Sequence, residues 1–321
     1  MYPDGSFPPM HCSRLDWSAF QGQSAMMRIG RRIGLAMALA VGLAGCVTDQ
    51  RPSTGGPIGQ PQGRWADQMH WVPIPATGEL VHMRLCRPEG GREARLVLIN
   101  HGGANTAARM AMRPMSCDSP AIRWFLERGH AVGLPLRRGF GLTGGDPVET
   151  RESCGETAYL NNAREGAISI LAAVEYATAL PGIRPDGVVV QGQSLGGWAA
   201  LGVAAQNPPR VAAVINTAGG RTGGMGTGFY ETCQPATMVS AAGVMGRTAR
   251  VPTLWIYSEN DAFFASPLVT RLHQAFVGGG GDARLEMLPP FGADGHAIFF
   301  SQGGSALWGP LVTVFLAGLP P

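Results

Sequence analysis

The chain has 321 residues, 45% hydrophobic and 15% charged, so it can bury a sizeable core, and beyond its first part the composition does not read as disorder. A formal net charge of +3 is too small to imply a nucleic-acid partner. Neither an internal repeat nor a coiled-coil heptad run is present, which argues against a structural envelope role.

Residues 1–25 are polar, dotted with proline and without period, and read as an upstream extension outside the fold. From Met26 or Met27 onward, Arg28, Arg31 and Arg32 precede an apolar stretch over 33–41 and the small-residue run Leu43-Ala44-Gly45-Cys46, so residues 26–45 have the makeup of a signal peptide. Those last four residues resemble the lipobox of bacterial lipoproteins. The resemblance implies that Cys46 is lipidated and holds the chain to the membrane, in the cell envelope, facing the periplasm or the exterior. An unlipidated signal peptide and an uncleaved anchor stay open, although the apolar stretch is short for a membrane span. Residues 46–63, rich in Pro, Gly, Gln and Thr, read as a flexible tether ahead of one domain over 64–321.

Within that domain, residues 69–74 and 80–87 are expected to form a hairpin. Residues 95–100 read as a strand apolar on both faces, which is how an inner strand covered by helices looks. A helix is expected near 120–128, a buried strand over 131–136, and a long helix over 159–180 that stops before Pro181-Gly182. Strand, turn and helix follow around residue 194, then a strand over 211–216 and a helix near 236–245. A strand over 253–257, a helix over 267–277, a last strand over 285–288 and a closing helix over 308–316 complete the series. Strands alternating with helices from residue 95 onward argue for a mainly parallel sheet with helices on both faces and chemistry on the loops after strand C-termini.

The run Gly192-Gln193-Ser194-Leu195-Gly196 sits between a β-branched strand and an apolar helix. With 47 glycines in the chain, a bare Gly-x-Ser-x-Gly is expected by chance about 0.3 times, so the pattern alone is weak and its context decides. A serine on such a turn is a nucleophile candidate, against an ordinary tight turn, and the N–H of Leu195 at the helix start is one oxyanion donor. The second donor should come from the loop His101-Gly102-Gly103-Ala104, at Gly103 or Ala104.

A serine hydroxyl needs a base, and in the order serine, acid, histidine only His273 and His296 follow Ser194. His273 falls in a polar helical context; His296 lies in the loop after the last strand and is the expected base. Asp261 best fits the acid, with Glu259 and Asp294 as rivals. Phe263, Phe229, Tyr230 and Arg138 are candidates to touch substrate; Phe263, Phe264, Phe299 and Phe300, beside the expected acid and base, read equally as core, and for Arg137 and Arg138 a structural ion pair or backbone bonding is favoured over an anionic substrate group. In an exported chain Cys86, Cys117, Cys154 and Cys233 can pair, and Cys154 with Cys233 is the favoured bridge because both lie in glycine-rich loops at the catalytic edge. Neither a metal-ligand spacing nor a phosphate loop appears, so no cofactor is expected.

On His101-Gly102-Gly103, Arg138-Gly139-Phe140-Gly141, the elbow around Ser194, Asp261 and His296, the chain from about residue 95 to 316 resembles a serine α/β-hydrolase, near the dienelactone-hydrolase-like and prolyl-oligopeptidase-like branches. The resemblance implies an eight-stranded sheet with the second strand antiparallel, and a small-molecule ester as the substrate. Dienelactone hydrolases carry cysteine where this chain has Ser194, so their lactone does not transfer. A peptidase or amidase, and a non-catalytic lipid-anchored binding module, are the competing expectations.

Overall fold

The computed structural model describes residues 54–149, 153–223, 228 and 230–319. The upstream extension, the signal peptide, Cys46 and Phe229 lie outside the described residues. Nine strands form one sheet: β1 (Gly56–Gln62), β2 (Asp67–Pro73), β3 (Leu80–Cys86), β4 (Leu96–Asn100), β5 (Ala131–Pro135), β6 (Val188–Gln193), β7 (Val211–Thr217), β8 (Thr253–Ser258) and β9 (Ala283–Leu288). Their order is β1-β2-β3-β5-β4-β6-β7-β8-β9. The pairings from β1 through β3 to β5 are antiparallel, and every pairing from β5 to β9 is parallel.

The strand count is therefore nine rather than eight. The addition is β1, which lies inside the stretch 46–63 read as a tether and makes the ordered domain begin earlier than residue 64. Its sequence, Gly-Pro-Ile-Gly-Gln-Pro-Gln, has no alternation, and six of its seven residues are exposed. An edge strand tolerates that composition because proline can turn its missing N–H to solvent. Without β1, the remaining eight strands follow the expected plan, with β3 as the antiparallel second strand.

Helices cover both faces, as the two-sided apolar strands require. Leu96, Leu98, Val188 and Val190 point into one core, under α3 (Glu156–Thr178), α4 (Leu195–Ala204), α5 (Pro235–Thr248) and α6 (Ser266–Gly278). Val97, Ile99 and Val189, one residue out of phase, point into the other, under α2 (Pro120–Leu126) and α7 (Gly304–Ala317). Trp198 of α4 is fully buried and its indole N–H donates to Tyr159 O of α3 at 2.9 Å. A side chain of that size, buried with its polar atom satisfied, contributes roughly 2–3 kcal/mol or more to holding α4 in place. A short helix, α1 (Thr106–Ala111), has no counterpart in the sequence reading; Asn105 caps it by accepting from Ala108 N–H.

Candidate active site

Ser194 stands between β6 and α4 with φ 56° and ψ −123°, a conformation disfavoured for any residue with a side chain. It is held there by its backbone. Its N–H donates to Thr217 O at 3.0 Å, and its carbonyl accepts from Trp198 N–H and Gly220 N–H at 3.1 Å each. The flanking glycines are required by contact: a Cβ on Gly192 would strike the Gly196 carbonyl, and one on Gly196 would strike the carbonyls of Asn100 and His101. Strand, turn and oxyanion-loop candidate therefore meet at van der Waals limits. The first N–H groups of α4, Leu195 among them, have no intrahelical acceptor.

The candidate acid and base come from the ends of β8 and β9. Asp261 accepts from the N–H groups of Phe263 and Phe264 at 2.8 and 3.0 Å, which orients its carboxylate, and its oxygens lie 3.0 and 3.1 Å from His296 Nδ1. The Asp261 side chain is fully buried and that of His296 nearly so. Asp294 bonds the N–H groups of Ala262 and His296 at 3.0 and 2.9 Å, tying the two loops together through backbone rather than through the imidazole. His273 instead meets Ala283 O at 3.0 Å, away from this group. Phe263 lies over the His296 ring, with centroids 4.0 Å apart at 30°. Tyr230, 58% exposed, lies against Phe263 in turn at 4.6 Å.

Gln193, the residue before the serine, donates from Nε2 to His296 O at 3.0 Å and thereby fastens the base loop to the elbow. Nothing in the sequence reading singled it out, although its place beside Ser194 was the available signal. Ser194 is bonded through its backbone, and its hydroxyl and the imidazole do not form a hydrogen bond among the described residues; such bonds commonly tighten only with substrate in place. Behind the site, burial holds the Tyr257 hydroxyl in its protonated form well above the usual tyrosine range, and it donates to Gly219 O at 2.6 Å.

The loop after β4 passes directly beside the serine: a Cβ on Gly102 would stand 3.1 Å from Ser194 Cβ. Gly103 and Ala104 follow, half-buried. Other sequence candidates sit elsewhere. Arg138 does not face substrate, because its guanidinium is buried between Glu79 and Glu165 at 3.1 and 2.5 Å. Phe264 and Phe299 belong to the core, each 1% exposed: the Phe264 ring backs the site, 5.7 Å from that of His296, and Phe299 stacks on Trp308 at 4.8 Å. Cys154 and Cys233 are joined in a disulfide, as are Cys86 and Cys117.

The model of the dienelactone hydrolase family matches residues 125–305, more than half of the chain, and that span contains Ser194, Asp261 and His296. The chain belongs to the dienelactone hydrolase family. It is a hydrolase of the α/β-hydrolase fold. Solved structures with the same fold include an acetyl xylan esterase from Paenibacillus sp. R4, 13% identical, with a TM-score of 0.55 over 84% of this chain and 90% of that one. An esterase from Pyrococcus furiosus is 14% identical with a TM-score of 0.53, over 79% of this chain and 93% of that one. An acylaminoacyl peptidase from Pyrococcus horikoshii is 15% identical with a TM-score of 0.56; 79% of this hydrolase aligns with it, but the match spans only 42% of the peptidase. No curated protein sequence matches the chain.

Proposed function

We propose that this hydrolase cleaves carboxylic esters through an acyl-enzyme on Ser194. The observation that carries the reading is the pairing of a serine at φ 56° on a strand-to-helix turn with a buried carboxylate and imidazole, whose loop is bonded to the residue before that serine. Ser194 Oγ attacks the ester carbonyl carbon as His296 Nε2 takes its proton. Asp261 fixes the ring with Nδ1–H toward the carboxylate and offsets the charge of the imidazolium. The carbonyl oxygen becomes an oxyanion facing the N–H of Leu195 and one from Gly103 or Ala104. His296 then hands the proton to the leaving alcohol, and a water activated by the same imidazole releases the acid and regenerates the serine. Two disulfides, joining all four cysteines of the domain, favour an oxidising compartment and so support an exported chain, with Cys46 as its lipid anchor.

A fluorophosphonate probe followed by peptide mass spectrometry tests the chemistry. The label is expected on Ser194 in the wild type and absent in His296→Ala. An ester and its matched amide separate the two hydrolase readings: turnover of the amide at the rate of the ester would reject ester specificity. Membrane fractionation of Cys46→Ser tests the anchor, which is rejected if the protein stays in the membrane fraction.

A further inference from the structure

Arg137 is the most deeply buried cation near the site, and the chemistry just proposed gives it no task. Its side chain is 0% exposed and that of Glu149 2% exposed, with Nε and Nη2 donating to the two Glu149 oxygens at 2.6 and 3.0 Å. The third nitrogen, Nη1, donates to His101 O at 2.7 Å. Each of the three nitrogens is thereby bonded inside the protein, and with the side chain 0% exposed the guanidinium is out of reach of a substrate carboxylate.

The backbone of the same residue meets the same loop. Arg137 N–H donates to His101 Nε2 at 3.2 Å. An imidazole nitrogen that accepts a backbone N–H carries no proton, so the proton sits on Nδ1, which donates to Gly102 O at 2.8 Å. The ring packs on Phe140 at 4.4 Å. Burial, and the adjacent Arg137 charge, hold the His101 pKa well below the ordinary imidazole range, in keeping with a permanently neutral ring. Two bonds from Arg137 and one from the ring thus fix the carbonyl and side chain of His101 and the carbonyl of Gly102. These are the residues that pass against Gly196 and Ser194. A peptide whose carbonyl is fixed has its next N–H fixed as well, since the unit is planar. The N–H of Gly103 is therefore set by the bond on Gly102 O.

We propose that Arg137, clamped by Glu149, is a positioning residue that sets the course of the loop His101-Gly102-Gly103-Ala104 and so aims its N–H donor at the oxyanion. The proposal rests on the serine-ester reading. Its substrate-facing atoms belong to the backbone, and Arg137 acts through them.

The test removes the clamp without stranding a charge: Arg137→Met combined with Glu149→Leu replaces the buried pair by apolar groups of similar size, a change the fold commonly tolerates. His101→Phe is the second variant, keeping the contact with Phe140 and the ion pair while losing both ring hydrogen bonds. Each is assayed for melting temperature, for kcat and KM on p-nitrophenyl acetate, and for inhibition by a trifluoromethyl ketone. In that inhibitor Ser194 Oγ adds to the ketone carbon, the serine proton passes to His296, and the carbonyl oxygen becomes an oxyanion held in the hole. The expected result is a fall in kcat of roughly 30- to 300-fold with KM changed by less than about threefold, and a parallel loss of ketone affinity, as when an oxyanion donor is misplaced. Arg137→Lys should lose less, since its ammonium keeps the buried charge paired with Glu149, but it should not match the wild type, because one ammonium cannot span both Glu149 oxygens and the His101 carbonyl. Folded variants that keep wild-type kcat and ketone affinity overturn the clamp, as does a loss of kcat that only follows the folded fraction. If the double variant fails to fold, His101→Phe decides by the same readouts. A wild type that neither takes the fluorophosphonate label on Ser194 nor cleaves any ester refutes the reading of the site itself, whereas a labelled, active wild type with unaffected variants refutes the clamp alone.

Discussion

The two walls beside Ser194 are built in different ways. On one side the elbow and the loop after β4 are fixed by steric fit: glycines at 192, 196 and 197 leave no room for a single added carbon. On the other, the described end of the loop before α5 is fastened at Cys233, by the Cys154–Cys233 disulfide and by Tyr159 donating to Cys233 O, while Thr237 Oγ1 donates to Cys154 O at 2.5 Å. A wall made by packing fails at one atom, whereas a fastened wall weakens by degrees. The wall that must place the nucleophile to within a fraction of an ångström is the packed one, and the fastened one carries Tyr230, exposed against Phe263.

The largest effect should therefore come from the packed wall. In Gly196→Ala the new methyl group meets the carbonyls of Asn100 and His101, backbone atoms that cannot swing aside. Esterase kcat/KM is expected to fall by more than about 10⁴, well beyond the loss of one oxyanion donor, because serine and loop move together. Wild-type activity in a folded Gly196→Ala protein would show that the elbow has slack. Next comes the acid. Asp261→Asn is expected to lower kcat by about 10⁴ through the wrong imidazole tautomer. Asp294→Asn, which touches only the backbone N–H groups of Ala262 and His296, should cost at most about tenfold. Steady-state kinetics of the two variants side by side would expose a reversed assignment at once.

For the fastened wall, the two disulfides provide an internal control. Replacing Cys154 and Cys233 by serine opens a bridge of sequence separation 79, and replacing Cys86 and Cys117 opens one of 31. Each pair should cost about 2–4 kcal/mol in denaturant unfolding. Only the first is expected to raise KM, by roughly threefold to tenfold, because only that bridge fastens the wall beside His296. Equal KM values in the two double variants would mean that the loop is held by its hydrogen bonds and not by its bridge.

The packed wall was also the more legible in the sequence. A strand of Val188-Val189-Val190 running into glycine, serine and glycine can fold in few ways, and both the elbow and its helix lie where the pattern put them. His296 and Asp261 are candidates because the order of elements leaves few residues at strand C-termini, and the fold brings the two within 3.0 Å of each other. What escaped was held by contacts distant in sequence. Glu149 meets Arg137 across a loop, Gln193 reaches a carbonyl 103 residues away, and the ion pair favoured for Arg138 has partners, Glu79 just before β3 and Glu165 on α3, that only the folded chain brings to it. No periodicity encodes such pairs. β1 escaped for another reason: an edge strand needs hydrogen bonds from one neighbour only, so its sequence carries no burial pattern. α1 was legible after all, since Asn105 followed by Thr-Ala-Ala-Arg-Met-Ala is a capped run of helix formers, short enough to pass for loop.

The smallest effect lies outside both walls and separates folding from catalysis at acid pH. His70 of β2 is 1% exposed, with Nδ1 3.0 Å from the Tyr176 hydroxyl of α3. Burial first, and the nearby Arg87 charge second, lower its pKa to about 4. In the unfolded chain the same group titrates near 6.5. Between those two values the unfolded state binds a proton that the folded state refuses. Stability is therefore full above about pH 6.5, declines as the pH falls toward 4, and levels off below it. The decline attributable to His70 should be about 1–3 kcal/mol, a few degrees in Tm for a chain of this size. His70→Gln should flatten that part of the Tm profile while leaving the pH dependence of kcat/KM in place, because His70 lies on β2, outside the site. If the substitution shifts the activity profile as well, the loss of activity at low pH is loss of fold.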